Sequence, residues 1–131
     1  MAQPTQYLHI PNLLSTELLQ QIDKLMASAN YIDGRATASL KAKEVKQNLQ
    51  IDHTDQVTLP QLQNMVLHAM YTNPRFQEVI FPKVTYPPVF SKYDENMTYG
   101  WHTDGPIMGQ QMPLRTDLAM TLFLSDPDGY E

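Results

Sequence analysis

The arrangement of apolar residues changes near Lys83, and this change limits the folds open to the chain. Before it, apolar side chains recur at helical spacing in two stretches, 16–29 and 58–73. After it, β-branched and aromatic residues interrupted by prolines favour strands. Helices followed by strands predict an α+β fold, with the helices packed on one side of an antiparallel sheet. We therefore divide the chain into a helical region with short strands, 1–82, and a strand region, 83–131.

Local signals predict where these elements begin and end. Ser15 and Thr58 carry the kind of hydroxyl that caps a helix, and we expect them to start the first and second helix. Four further segments are predicted from their residue pattern: a short strand at 7–10, a strand at 98–104, a loop at 107–113, and an apolar strand buried on both faces at 116–125. About four strands are expected after Lys83, fewer than the eight or so of a complete jelly roll.

Composition excludes several classes of protein. The 131 residues are enough for one domain with a modest core. A formal net charge of -5 argues against a nucleic-acid-binding surface. The sequence has neither a run of about 20 apolar residues nor a secretory leader, so we expect a cytoplasmic protein that does not enter a membrane. There is no Cys, so any metal would be held by His and carboxylate side chains.

The tripeptide His-Thr-Asp occurs twice, in different contexts. Residues two apart on an extended strand point to the same face, so His102 and Asp104 would converge on one spot. Two such ligands, a further His and open positions make the facial triad of non-haem Fe(II) oxygenases. Spacing alone leaves open both a metal pair and a hydrogen-bonded strand pair. The first copy, with His53, precedes a helix, where Asp55 or Thr54 is expected to accept bonds from free backbone N–H groups.

Basic residues are concentrated between residues 35 and 50. This segment carries four of the nine in the chain: Arg35, Lys41, Lys43 and Lys46. Such a charge pattern is typical of a solvated face. The alternative is a basic rim that attracts an anionic substrate.

The run Thr-Tyr-Gly-Trp-His-Thr-Asp-Gly at 98–105, together with 90–93 and 114–127, carries a family resemblance. These segments resemble the prolyl-4-hydroxylase-like Fe(II)/2-oxoglutarate-dependent dioxygenases, and most of all the PKHD-type hydroxylases. Upstream, 31–35 and a spaced polar set are also similar; the set is Lys46, Asn48, Gln50 and Asp52. The resemblance implies N-terminal helices packed on an antiparallel double-stranded β-helix, or jelly roll, with only its first half present in this chain.

The resemblance also implies roles for four residues. His102 and Asp104 would be iron ligands, which favours the metal interpretation of that pair. Tyr93 would bind 2-oxoglutarate through its hydroxyl; the alternative is an ordinary core tyrosine. Thr121, the one hydroxyl on its face of the last strand, would line the same pocket. The implied cofactors are Fe(II) and 2-oxoglutarate, with ascorbate compatible, and the implied reaction is hydroxylation of an unidentified small molecule or protein.

The chain departs from the family pattern after His102. It has no second His there, and its one later basic residue, Arg115, is on the wrong strand to bind the far carboxylate of 2-oxoglutarate. We therefore expect the N-terminal part of a longer enzyme, completed beyond residue 131, inactive as this chain alone and compatible with a homo-oligomer. One alternative is a truncated, non-catalytic interaction module that binds a partner through exposed strand edges. Another is a hydrolase that uses His53 with His102 and Asp104.

Overall fold

A computed structural model describes residues 6–37, 43–100, 107–109, 113–126 and 128. The described helices are α1 (Thr16–Ala27), α2 (Thr58–Thr72) and α3 (Pro74–Val79), and a 3-10 helix covers Gly34–Thr37. The described strands are β1 (Tyr31–Asp33), β2 (Lys46–Gln47), β3 (Leu49–Ile51), β4 (Ser91–Lys92), β5 (Thr98–Tyr99), β6 (Ile107–Met108) and β7 (Leu114–Arg115). This mixture of helices and small antiparallel sheets agrees with the predicted α+β class.

Both predicted helices are confirmed, but one of the two predicted caps is wrong. Ser15 caps α1, because its hydroxyl accepts a hydrogen bond from the backbone N–H of Leu18 at 3.1 Å. Thr58 is the first helical residue of α2 and not its cap. Asp55 takes that role instead, since its Oδ1 accepts from the N–H groups of both Val57 and Thr58 at 2.8 Å. A carboxylate near a helix start satisfies donors that have no partner inside the helix.

The hydrophobic core lies where α1 and α2 meet β3 and Phe90. Ile22 of α1 and Leu62 of α2 are fully buried at its centre. The apolar face predicted for α2 is confirmed, and its buried members are Leu59, Leu62, Val66, Ala69 and Met70. Full burial of one such side chain stabilises the fold by about 1.5–3 kcal/mol. The two helices and the strand between them therefore form the stable base of the molecule.

The described strands form three small antiparallel sheets. One has the order β1-β3-β4, a second pairs β2 with β5, and a third pairs β6 with β7. β1, β2 and β3 lie between α1 and α2, at positions where no strand was predicted. These strands have two or three residues each, too few for a period-2 apolar pattern to stand out. The predicted jelly roll remains a prediction.

Three predictions for individual segments are also wrong. Residues 7–10 form no strand, and the predicted loop at 107–113 contains β6 and leads into β7. Residues 116–125 form no strand and are not buried on both faces, since Leu118 is 68% exposed and Phe123 is 64% exposed. Leu122 and Leu124 pack against the core from the other side. An apolar run predicts burial but cannot say whether both of its sides are covered.

Within the described ranges, no helix is both long and apolar enough to cross a lipid bilayer.

Candidate functional site

The segment 46–51 runs antiparallel to 91–99, and the pairing between them is interrupted at Asn48. On one side Leu49 pairs with Lys92, and on the other Gln47 pairs with Thr98. Asn48 therefore lies opposite the five residues 93–97. The backbone N–H of Met97 donates to the carbonyl of Asp94 at 2.9 Å, which closes a turn within these residues. An interruption of this kind redirects side chains locally.

Three polar side chains on the inner side of this segment are buried. Lys46 is 7% exposed, Asn48 is 4% exposed and Gln50 is 1% exposed. Residues two apart on an extended chain share a face, so the three form one row, which we call the buried polar row. Burial of polar groups is unfavourable unless they find partners. The inward side of β2 and β3 is therefore chemically unlike the apolar core beside it.

Asn48 connects this row to Tyr93. Its Nδ2 donates a hydrogen bond to the Tyr93 hydroxyl oxygen at 2.9 Å. Its Oδ1 is buried and has no hydrogen-bond partner in the part of the chain that the structure describes. An unpaired buried polar atom costs about 1–3 kcal/mol. A buried group kept at that cost in a native protein calls for an explanation.

Gly34 provides the space that Asn48 occupies. Its backbone N–H donates to the Asn48 carbonyl at 2.9 Å, which holds the two backbones together. A Cβ at position 34 would lie 1.7 Å from Asn48 Oδ1 and 2.8 Å from Asn48 Cγ. These distances are far shorter than any van der Waals contact, so glycine is required here while the amide stays in place.

Lys46 lies over an aromatic ring and is influenced by the charge of a carboxylate. Its Nζ lies 5.0 Å from the centroid of the Tyr99 ring, a cation–π distance. Burial lowers the pKa of Lys46, and the charge of Asp33 partly opposes this. The pKa of Asp33 is itself lowered to about 2, chiefly by its hydrogen bonds with Arg35. The solvated-face interpretation is therefore wrong for Lys46, although Arg35 and Lys43 are exposed.

The structure brings together only some of the predicted site residues. His102 and Asp104 lie outside the described residues, and their predicted role stays a prediction. Tyr93 is joined to Asn48 and is 46% exposed, so it is not an ordinary core tyrosine. Thr121 is exposed, in the segment where Leu122 and Leu124 face the core. Its predicted contact with 2-oxoglutarate is untested.

The other candidate residues have structural surroundings. Around the first His-Thr-Asp copy, Asp52 accepts from the N–H and hydroxyl of Thr54, at 2.9 and 2.8 Å, and Asp55 caps α2. The helix-start interpretation of this copy is confirmed, and His53 is exposed. Arg115 is exposed and forms a 2.9 Å ion pair with Asp117. In the described ranges, no group of three or more His, Asp or Glu could hold a metal ion.

Sequence reasoning noted the spaced polar set but did not predict that it is buried. The available signal was a polar residue at every second position, from Lys46 to Gln50. That pattern normally marks the outer face of a strand. Burial here depends on contacts with residues far along the chain, because Asn48 and Tyr93 are 45 positions apart.

The sequence of this chain is similar to those of known proteins along almost its whole length. The chain is 42% identical over 126 residues to a PKHD-type hydroxylase of Acinetobacter baumannii, a match that covers 94% of this chain and 55% of that protein. PKHD-type hydroxylases of Crocosphaera subtropica and Gluconobacter oxydans are each 40% identical, over 95% of this chain and 55% and 56% of their own lengths. No protein-family model matches.

These similarities all point to one family. Over the matched span it belongs to the PKHD-type hydroxylase family. The chain spans about half the length of the curated relatives it matches.

Proposed function

We propose that this chain supplies the N-terminal half of an Fe(II)- and 2-oxoglutarate-dependent hydroxylase. The observation that carries the proposal is the similarity to PKHD-type hydroxylases along 94% of the chain. Those relatives are named as hydroxylases, so hydroxylation is the reaction we propose. The iron and 2-oxoglutarate dependence is proposed from the motif at 98–105 and from the surroundings of Tyr93.

In this proposal His102 and Asp104 are iron ligands, and residues beyond 131 supply the third ligand and a basic residue for 2-oxoglutarate. Iron with 2-oxoglutarate and O2 would supply the oxidising power that converts a C–H bond to an alcohol. Histidine nitrogen and carboxylate oxygen suit Fe(II), which is commonly held by two His and one carboxylate. Asp104 would also provide a fixed negative charge that balances the metal ion.

Tyr93 fits the binding of an anionic cosubstrate. Its hydroxyl oxygen accepts from Asn48, and an amide nitrogen can only donate. The Tyr93 hydroxyl proton is therefore free to donate to a further acceptor, and no acceptor for it lies in the described part of the chain. A carboxylate is a strong acceptor for such a donor. Thr121 would add a second hydroxyl to the same pocket. This part of the proposal requires residues 116–125 to bring the Thr121 side chain toward the cosubstrate.

The test is the formation of succinate from 2-oxoglutarate by the complete protein. We expect this turnover to require Fe(II) and to be lost in the variant His102→Ala. The chain offers a matched control, because His53→Ala removes the histidine of the other His-Thr-Asp copy. His53 is exposed and precedes a helix, so His53→Ala is expected to retain turnover.

Circular dichroism and thermal unfolding of both variants would separate loss of chemistry from loss of fold. Turnover that persists in a folded His102→Ala protein would refute the proposed ligand. Succinate formation that is absent from the unaltered complete protein with Fe(II) would refute the proposed reaction class. Equal losses of turnover in both histidine variants would show that the effect is not specific to the motif at 98–105.

A further inference from the structure

We infer that Asn48 is a positioning residue that orients the Tyr93 hydroxyl as a hydrogen-bond donor toward the carboxylate of the cosubstrate. This inference rests on the proposed function and deepens it. Asn48 itself need not touch the cosubstrate. Its effect would pass through a single contact, the 2.9 Å hydrogen bond from its Nδ2 to the Tyr93 oxygen.

The direction of this hydrogen bond determines where the Tyr93 hydroxyl proton can point. A tyrosine hydroxyl can donate one proton and accept through its oxygen, whereas the amide nitrogen of Asn48 can only donate. Because Asn48 occupies an acceptor position on the oxygen, the hydroxyl proton must point elsewhere. Its remaining direction is toward the side of Tyr93 that is open, since this residue is 46% exposed.

The side chain of Asn48 has little freedom to move. Asn48 is 96% buried, and its Oδ1 fills the space above Gly34 that a Cβ would otherwise occupy. The Gly34 N–H also holds the Asn48 carbonyl at 2.9 Å. Backbone and side chain are therefore both held beside Gly34, and the other amide atom, Nδ2, faces Tyr93.

The backbone alone does not position Tyr93. It follows Lys92, the last residue of β4, and begins the five residues that face Asn48 across the interrupted ladder. Residues in such an interruption lack the regular pairing that orients a strand side chain. The side-chain bond from Asn48 substitutes for that pairing and ties Tyr93 to the buried polar row.

The unpaired Oδ1 is consistent with this role. A smaller apolar side chain at position 48 would avoid the burial of an unpaired oxygen. It would also lose the donor to Tyr93. The amide is present despite its unsatisfied oxygen, and among the described residues its hydrogen bond to Tyr93 offers a reason.

The experiment measures binding of 2-oxoglutarate to the complete protein with Fe(II) and without O2, by calorimetry. We expect Tyr93→Phe to weaken binding about tenfold or more, the range for a hydrogen bond to a charged group. Asn48→Ala should weaken it about threefold to tenfold through loss of orientation. In the double variant the Asn48 change should add nothing, because residues that act through one contact are not additive.

Two further variants separate orientation from packing. Asn48→Asp keeps the shape but presents only acceptors, so the Tyr93 proton is drawn to it and binding should fall at least as far as in Asn48→Ala. Gln47→Ala, at the exposed neighbouring position of β2, is the matched control and should bind normally. Unfolding of the metal-free proteins should show the same non-additivity for Asn48 and Tyr93.

The outcomes distinguish this inference from the function on which it rests. Additive losses in the double variant, or normal binding by Asn48→Asp, would overturn the role of Asn48 while leaving the hydroxylase proposal intact. Normal binding of 2-oxoglutarate by Tyr93→Phe would also overturn the role of Asn48. Failure of the unaltered protein to bind 2-oxoglutarate would overturn both.

Discussion

Replacement of Gly34 by alanine should destabilise the fold, because the new methyl group has no room. Its Cβ would lie 1.7 Å from Asn48 Oδ1, 2.8 Å from Asn48 Cγ and 3.2 Å from the Asn48 carbonyl oxygen. The amide of Asn48 would have to leave its place, and its bond to Tyr93 would break.

The magnitude follows from three contributions. Overpacking of a well-filled site costs about 1–3 kcal/mol. Loss of the bond between Asn48 and Tyr93 adds about 0.5–1.5 kcal/mol. Reduced freedom of the unfolded chain returns about 0.4–1 kcal/mol when glycine becomes alanine. We therefore expect Gly34→Ala to lower the free energy of unfolding by about 2 kcal/mol.

Urea denaturation of the complete protein, followed by circular dichroism, measures this change. Gly100→Ala is the matched control, because its Cβ would meet Val45 Cβ at 3.0 Å and requires a shift of only a few tenths of an ångström. The variant Gly34→Ala/Asn48→Ala should lose less stability than the two single changes added together, since the atoms nearest the new methyl group are gone. Unchanged stability in Gly34→Ala, or strictly additive losses, would refute the reasoning.

Two more predictions concern charged side chains. Asp55→Ala should lower the free energy of unfolding by about 1 kcal/mol, because two backbone N–H groups at the start of α2 lose their acceptor; in urea denaturation Asp55→Asn should lose less, and equal losses would contradict the capping role. Arg35→Met should raise the pKa of Asp33 from about 2 toward 3.8, because hydrogen bonds to Arg35 are the main cause of its depression. Since the folded-state pKa lies below the ordinary value, the stabilising effect of ionised Asp33 is present above about pH 3.8 and is lost as the pH falls toward 2. A carboxyl-carbon NMR titration would detect the change, and a pKa that stays near 2 in the variant would contradict the role of Arg35.

The helical half of the fold could be predicted because its information is local. The apolar residues of 58–73 recur at helical spacing, and Leu59, Leu62, Val66, Ala69 and Met70 are buried. The cap at Asp55 was foreseen as one of two candidates near the first His-Thr-Asp copy, whereas Thr58 looked like a cap and is already helical. Single positions at helix ends are less certain than the helix itself.

The strands and the candidate site depend on residues that are distant in sequence. Strands of two or three residues carry too little periodicity to be recognised. The burial of Lys46 requires Tyr99 on the partner strand, and the tether of Tyr93 requires Asn48. The exposure of Leu118 and Phe123 could not be foreseen from their apolar character, because composition does not reveal which surface is covered. Tyr93 was singled out through the family resemblance, and Asn48 became visible as its partner only in three dimensions.

The interruption at Asn48 lies between two sheets. On one side β3 pairs with β4, and on the other β2 pairs with β5. Because the pairs Leu49–Lys92 and Gln47–Thr98 are set independently, a residue added to or removed from 94–96 would shift neither alignment. We therefore expect residues 94–96 to vary in number among related sequences. Tyr93, at the start of this loop, should keep its position because it is bonded to Asn48. A surface segment that can change in length thus directly follows an aromatic side chain that is held in place.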